Sequence, residues 1–307
     1  MPGFVAGMER HQVAVYLGAL AAGGVAGWAA PGAGTLLEHA INPVLAALLY
    51  VTFLQVPVRQ LGRSLRAGRF LGAALVVNFA VVPLVVAAFF TFLPADQAIR
   101  LGVLLVLLAP CVDYVIVFSG LAGGDSQRLL AATPLLLIAQ MVLLPGYLLL
   151  FLGSDLAVVE PGPFVEAFVV LIAIPLALAW LTQTWAGERV GAISTTMVPL
   201  MAATLFAVVA SQVPKLGDLE QVLGVVPFYV AFLLVMAFAG VAVARLFRLD
   251  VASGRAIVFT GATRNSLVVL PLALSLSDLA AVVVVTQTLV EVIGMVIYMR
   301  VVPRLLP

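Results

Sequence analysis

Charge is what this chain has least of. Only 9% of its 307 residues are Asp, Glu, Lys or Arg, against about 25% in a soluble domain. With 64% hydrophobic residues left, the chain reads as an integral membrane protein of the all-α class. Lysine is nearly missing, one residue against 14 Arg at a net charge of +1. No basic cluster forms, which excludes nucleic acid as a partner. The single cysteine excludes an internal disulfide. The two histidines, His11 and His39, fall at the ends of apolar runs, so neither a metal set nor a nucleophile–base pair can be assembled, and an enzyme is not expected. A phosphate-binding Gly-x-x-x-x-Gly-Lys-Ser/Thr loop is also missing, so the chain does not use ATP through one. No cofactor and no structural metal are expected.

What is present is apolar length. A spanning helix needs about 20 apolar residues, and ten such runs follow one another near 12–30, 36–58, 69–93, 97–121, 128–152, 163–185, 191–213, 221–247, 254–276 and 279–301. The first ends in small residues that imitate a signal-peptide cleavage site; the topology needs it as a retained span. Arginine and lysine set the orientation. With the N-terminus inside, twelve (Arg10, Arg59, Arg63, Arg66, Arg69, Arg128, Arg189, Arg245, Arg248, Arg255, Arg300 and Arg304) fall on the cytoplasmic side and two (Arg100 and Lys215) outside, while Arg264 lies within a span. Both termini are therefore expected in the cytoplasm. The arginine excess, with abundant Ala, Gly and Val, suggests a high-GC bacterial gene and a multi-pass protein of the bacterial inner membrane.

The two halves, 1–153 and 154–307, repeat. Pro43-Val44-Leu45-Ala46-Ala47 leading to Gln55-Val56-Pro57 returns as Pro199-Leu200-Met201-Ala202-Ala203 leading to Gln212-Val213-Pro214. Five spans is an odd number, so the second copy enters the membrane the other way up. Such inverted repeats build secondary carriers that bind near the midplane and work by alternating access. Spans four and nine are interrupted, at Ala109-Pro110-Cys111-Val112-Asp113 and at Thr260-Gly261-Ala262-Thr263-Arg264-Asn265-Ser266. Non-helical backbone at membrane depth survives only inside protein or along a cavity, and paired broken helices point to the binding site.

Those interruptions hold most of the candidate chemistry. Cys111 follows a helix-breaking proline near the start of a half-helix, where partial positive charge favours a thiolate, the ligand that soft metals and metalloids prefer. A free cysteine is as readily a small inert hydrophobe. A charge at the bilayer centre costs about 2.5–3.5 kcal/mol on insertion scales, so Asp113 needs a partner or a task. Arg264 in the other interruption is the obvious partner, whether the pair staples the breaks or meets a substrate. Glu291, with Gln287 four residues before it on the same helical face, is the candidate proton-coupling site, because a carboxylate held out of water readily takes up a proton. Asn78, Gln140, Thr260, Thr263, Asn265 and Ser266 are candidates to line a polar cavity with Pro110. Hydrogen bonding between helices is the commoner use of such residues in membranes.

The run Leu108 to Val117, closing with Leu121-Ala122-Gly123-Gly124-Asp125, resembles the fourth span of the arsenical-resistance arsenite efflux permeases. These belong to the bile acid/arsenite/riboflavin transporter superfamily. Their signature cysteine aligns with Cys111, and Leu289-Val290-Glu291-Val292 is similar to their last span. The resemblance implies ten spans, with a panel domain of spans one, two, six and seven and a core domain of spans three to five and eight to ten, in which spans four and nine cross. It also implies arsenite as substrate and protons as the coupling ion. Two departures stand out. Leu267 falls where the arsenite permeases carry a glutamate, and Thr260 and Arg264 fall where the sodium-coupled bile acid relatives carry a glutamate and a glutamine. An arginine gained where a carboxylate is lost argues against sodium coupling.

The sequence thus leads to a proton-coupled secondary carrier exporting arsenite or antimonite, with Cys111 as metalloid ligand, Asp113, Arg264, Asn265 and Ser266 around the substrate, and Glu291, Asp113 and Gln287 handling protons. The alternative is a sodium-independent organic-anion carrier in which Arg264 and the half-helix N-termini hold a carboxylate.

Overall fold

The computed structural model describes residues 11–30, 32, 34–54, 68–112, 114–153, 169–185, 190, 193, 195–215 and 223–307. Asp113 and Gln55-Val56-Pro57 lie outside the described residues. The chain divides into two compact units, Met1–Val58 with Pro161–Leu219, and Arg59–Glu160 with Glu220–Pro307. Each draws on both halves of the sequence.

The first unit holds α1 (Gln12–Ala29) and α2 (Gly34–Leu54) from the first half. From the second half it takes α8 (Ile174–Trp185) and α9 (Met197–Gln212), with α3 to α7 intervening in the other unit. Glycines set its closest approach. A Cβ on Gly23 would stand 2.7 Å from the Phe206 carbonyl oxygen, and one on Gly27 2.7 Å from that of Ala210. The short side chains thus let α1 lie directly on the backbone of α9. Gln183 on α8 donates to the carbonyls of Phe53 (3.0 Å) and Leu54 (3.2 Å) on α2.

The second unit holds α3 (Gly68–Val76), a π turn over Val77–Val81 and α4 (Val82–Phe90). It continues with α5 (Gln97–Leu107), α6 (Tyr114–Leu121) and α7 (Ser126–Leu152). From the second half come α10 (Val226–Leu246), α11 (Val251–Ala262), α12 (Ser266–Leu276) and α13 (Asp278–Leu305). The π turn has a local cause. Pro83 lacks an N–H, so the Phe79 carbonyl loses its helical donor; the Tyr147 hydroxyl donates to it instead, at 2.5 Å. The same spacing recurs where the π turn Val169–Ala173 precedes Pro175 in α8.

Polar caps start several helices of this unit. Asp96 accepts from the N–H groups of Ala98 and Ile99, Asp125 from Arg128, Asp250 from Ser253 and Asn265 from Val268. The Ser253 N–H bond is the main reason that the exposed Asp250 carboxyl lies below the usual carboxylate range, helped by Arg128 at 3.1 Å.

Gly68–Phe90, Leu135–Leu152, α10 and α13 are long and apolar enough to cross a membrane. Leu150 on α7 is 77% exposed, and Phe238 on α10 and Ile293 on α13 are also exposed. Apolar surface of that extent suits lipid and not water. The chain is a multi-pass membrane protein.

Candidate functional site

Both sequence interruptions are real breaks. α5 stops at Leu107 and α6 begins at Tyr114; α11 stops at Ala262 and α12 begins at Ser266. The broken segments meet as an isolated antiparallel bridge that pairs Pro110 with Arg264. The Cys111 N–H donates to the Thr263 carbonyl (3.2 Å), and the Asn265 N–H to the Ala109 carbonyl (2.8 Å). Pro110 and Arg264 therefore face each other as a non-hydrogen-bonded pair, in which neither residue's own N–H serves the bridge. A proline costs nothing at such a position, and the Arg264 N–H is left for another acceptor.

That acceptor is Glu291 on α13. Its carboxylate takes the Arg264 N–H at 2.8 Å, the Tyr114 hydroxyl at 2.5 Å, and the Gln287 amide N–H. The Tyr114 hydroxyl also lies 3.2 Å from the Arg264 carbonyl. Glu291 is fully buried. The i, i+4 spacing of Gln287 and Glu291 places both on one face, as the sequence indicated. Tyr114 was missed; its only signal is its place at the first residue of the half-helix after the break.

The Arg264 side chain is fully buried too. Its guanidinium donates to the carbonyls of Thr260 (2.6 Å), Gly261 (2.8 Å) and Leu107 (3.3 Å) and to the Asn78 side-chain oxygen (2.9 Å). The guanidinium also lies over the Phe232 ring at 5.7 Å. Thr260 and Gly261 are in the last turn of α11 and Leu107 ends α5, so all three carbonyls lack helical donors. One arginine thus caps two half-helices at their negative ends. Among the described residues no carboxylate pairs with this guanidinium; the ion pairs among them join Arg128 to Asp125 and Asp250. The expected partner Asp113 is outside the described residues.

The other candidates divide. Asn78 sits in the π turn of the third span and joins the site, donating to the Ala74 carbonyl (3.0 Å) and the Thr260 hydroxyl (3.2 Å). The Thr263 hydroxyl donates to the Phe259 carbonyl at 2.8 Å and turns inward on its own helix. The Cys111 thiol is buried and in no disulfide. Asn265 and Ser266 are buried at the N-terminus of α12, and the Asn265 amide nitrogen and Ser266 hydroxyl have no hydrogen-bond partner. The Gln287 amide oxygen has none either. Gln140 on α7 is buried with both amide atoms unpartnered, and no hydrogen bond ties it to the crossing.

Residues 42–219, more than half of the chain, match the sequence model of the Sodium Bile acid symporter family. The matched segment includes Cys111 and the first break but stops short of Arg264, Glu291 and the second. A search of the curated proteins gives no match. With its broken, crossing helices and the match over 42–219, the chain belongs to the Sodium Bile acid symporter family, whose members are transporters.

Proposed function

We propose that this transporter exports trivalent arsenic, as arsenite or antimonite, from a bacterial cytoplasm in exchange for protons. In this reading ten spans form two inverted repeats, 1–153 and 154–307, with both termini cytoplasmic and alternating access to a site at the crossing. The observation that carries it is the position of Cys111. The only thiol of the chain is buried within a break, with its own N–H tied to the opposite arm. A thiol takes arsenous acid without redox chemistry. The S–As bond forms, an As–O bond breaks, and the thiol proton leaves with the displaced hydroxide as water. Among the described residues no three His, Cys, Asp or Glu side chains converge, so the metalloid is held by one sulfur and by hydrogen bonds. The unpartnered Asn265 nitrogen and Ser266 hydroxyl suit its remaining oxygens.

Glu291 supplies the proton step. As a carboxylate it accepts three hydrogen bonds; once protonated it becomes a donor and must release one of them. The Gln287 amide oxygen, which lacks a donor, can take the new O–H. Because one of the three donors is the Arg264 N–H, loading a proton acts directly on the crossing.

Arsenite uptake into everted vesicles under an imposed proton gradient tests the reading. Wild type accumulates arsenite, and Cys111→Ser at matched expression does not. Uptake in both would keep the substrate and remove the thiol's role, and uptake in neither would overturn the proposal.

A second reading, an organic-anion carrier, is favoured by the same unpartnered donors at the N-terminus of α12, where a carboxylate would meet positive helix ends. Arg264 is not its anchor, since both terminal nitrogens of the guanidinium already donate to protein oxygens. Uptake of an organic anion that survives Cys111→Ser and is lost in Asn265→Ala would establish it.

A further inference from the structure

The Sodium Bile acid symporter family takes its name in part from the ion, and a sodium ion would need a place at the crossing. Carriers with broken helices hold sodium through unwound carbonyls and the C-terminal ends of half-helices. This crossing has such oxygens. The Thr260 and Gly261 carbonyls end α11, the Leu107 carbonyl ends α5, and the Asn78 amide oxygen joins them from the π turn. All four already face the fully buried Arg264 guanidinium, at 2.6 to 3.3 Å. A second positive charge among the same oxygens would be repelled by the first in a medium that screens little. The residues present do not fit sodium.

We propose that Arg264 is a resident cation, covalently part of the chain, that fills a monovalent-cation site at the crossing and makes the folded core independent of free sodium or potassium. The guanidinium neutralises two half-helix ends at once, a task that elsewhere needs an ion drawn from solution. Removing it leaves four buried oxygens facing one another without a donor, a cage that an alkali cation can enter.

The test is thermal stability of the purified full-length protein without substrate, in sodium, potassium or choline chloride at one ionic strength, read as the monodisperse fraction left after heating. Wild type has the same Tm in all three salts. Arg264→Ala has a lower Tm in choline, and sodium or potassium raises it saturably, by roughly 3–8 °C once the cation is far above its Kd. Arg264→Lys keeps a tethered charge and stays insensitive to the salt. A saturable rise of the wild-type Tm with sodium overturns the proposal, as does an alanine variant with one Tm in every salt. If Arg264→Ala gives no folded protein, neutral Arg264→Gln takes its place, and equal salt responses of the glutamine and lysine variants overturn the proposal. Since no solute is present, failure here leaves arsenite export standing, and failure of the vesicle experiment leaves the resident cation standing.

Discussion

At the residue scale the crossing holds two opposite charges that meet indirectly. Glu291 binds the main-chain N–H of Arg264, while the guanidinium of the same residue turns to carbonyl oxygens. Dipoles surround each charge, as a buried charge needs when the cost of leaving water is high, although the Arg264 Nε has no hydrogen-bond partner. Glu291→Gln separates charge from hydrogen bonding. Its amide oxygen still accepts from Tyr114 or Arg264, but its NH2 then faces donors, which costs about 1–3 kcal/mol of stability. The variant folds with a lowered Tm, loses arsenite uptake driven by a proton gradient at least tenfold, and retains arsenite–arsenite exchange under equal pH. Loss of gradient-driven uptake and exchange together would make Glu291 structural. Of this constellation the sequence singled out Glu291, Gln287, Arg264 and Asn78, but not Tyr114 and not the partners that each residue takes. Gln287 and Glu291 were readable from their i, i+4 spacing. The bond from Tyr114 and the carbonyl cage of Arg264 were not, because both depend on the register in which two breaks far apart in the chain meet, Pro110 opposite Arg264.

At the scale of elements, glycine decides which helices touch. A Cβ on Gly240 of α10 would come within 2.8 Å of the Val258 Cα on α11, a backbone atom that can move only if the helix does. Gly146 on α7 has nothing within 4 Å of such a Cβ. The same substitution therefore has opposite signs at the two sites. Gly240→Ala destabilises by about 1–3 kcal/mol through overpacking, whereas Gly146→Ala stabilises by roughly 0.5–1 kcal/mol through helix propensity. Thermal melts of the two variants beside wild type check this; a Gly240→Ala protein as stable as wild type would mean that α10 and α11 are not held so closely. Sequence showed the elements more clearly than their irregularities. The breaks were legible because Pro110 and the polar run Thr260 to Ser266 interrupt otherwise apolar helices. The π turns before Pro83 and Pro175 were not, since a proline announces a missing donor without saying how the backbone responds.

At the scale of the whole molecule, membrane character was legible from composition alone: with 9% charged residues, no arrangement of this chain presents a water-compatible surface. Which residues share a unit is not written in composition or hydropathy, and entered the sequence reading only through the family resemblance. Each compact unit combines segments from both halves, and only long-range packing decides that. The resident cation has a consequence at this scale. Under the proposed exchange for protons, transport is expected to proceed at the same rate, within about twofold, when sodium is replaced by choline, as isotope uptake into vesicles would show. A sodium requirement would place a free ion in the cycle despite Arg264.

Cys111 has one more consequence. It is the chain's sole thiol, and it is 1% exposed. Methods that follow membrane proteins through reactive probes begin by stripping out native cysteines and placing a single new one. Here nature has already done both. Any conformation that parts the two arms presents a unique handle at the point of interest, and a maleimide supplied from one side of the membrane at a time would date the opening and identify the side on which it occurred.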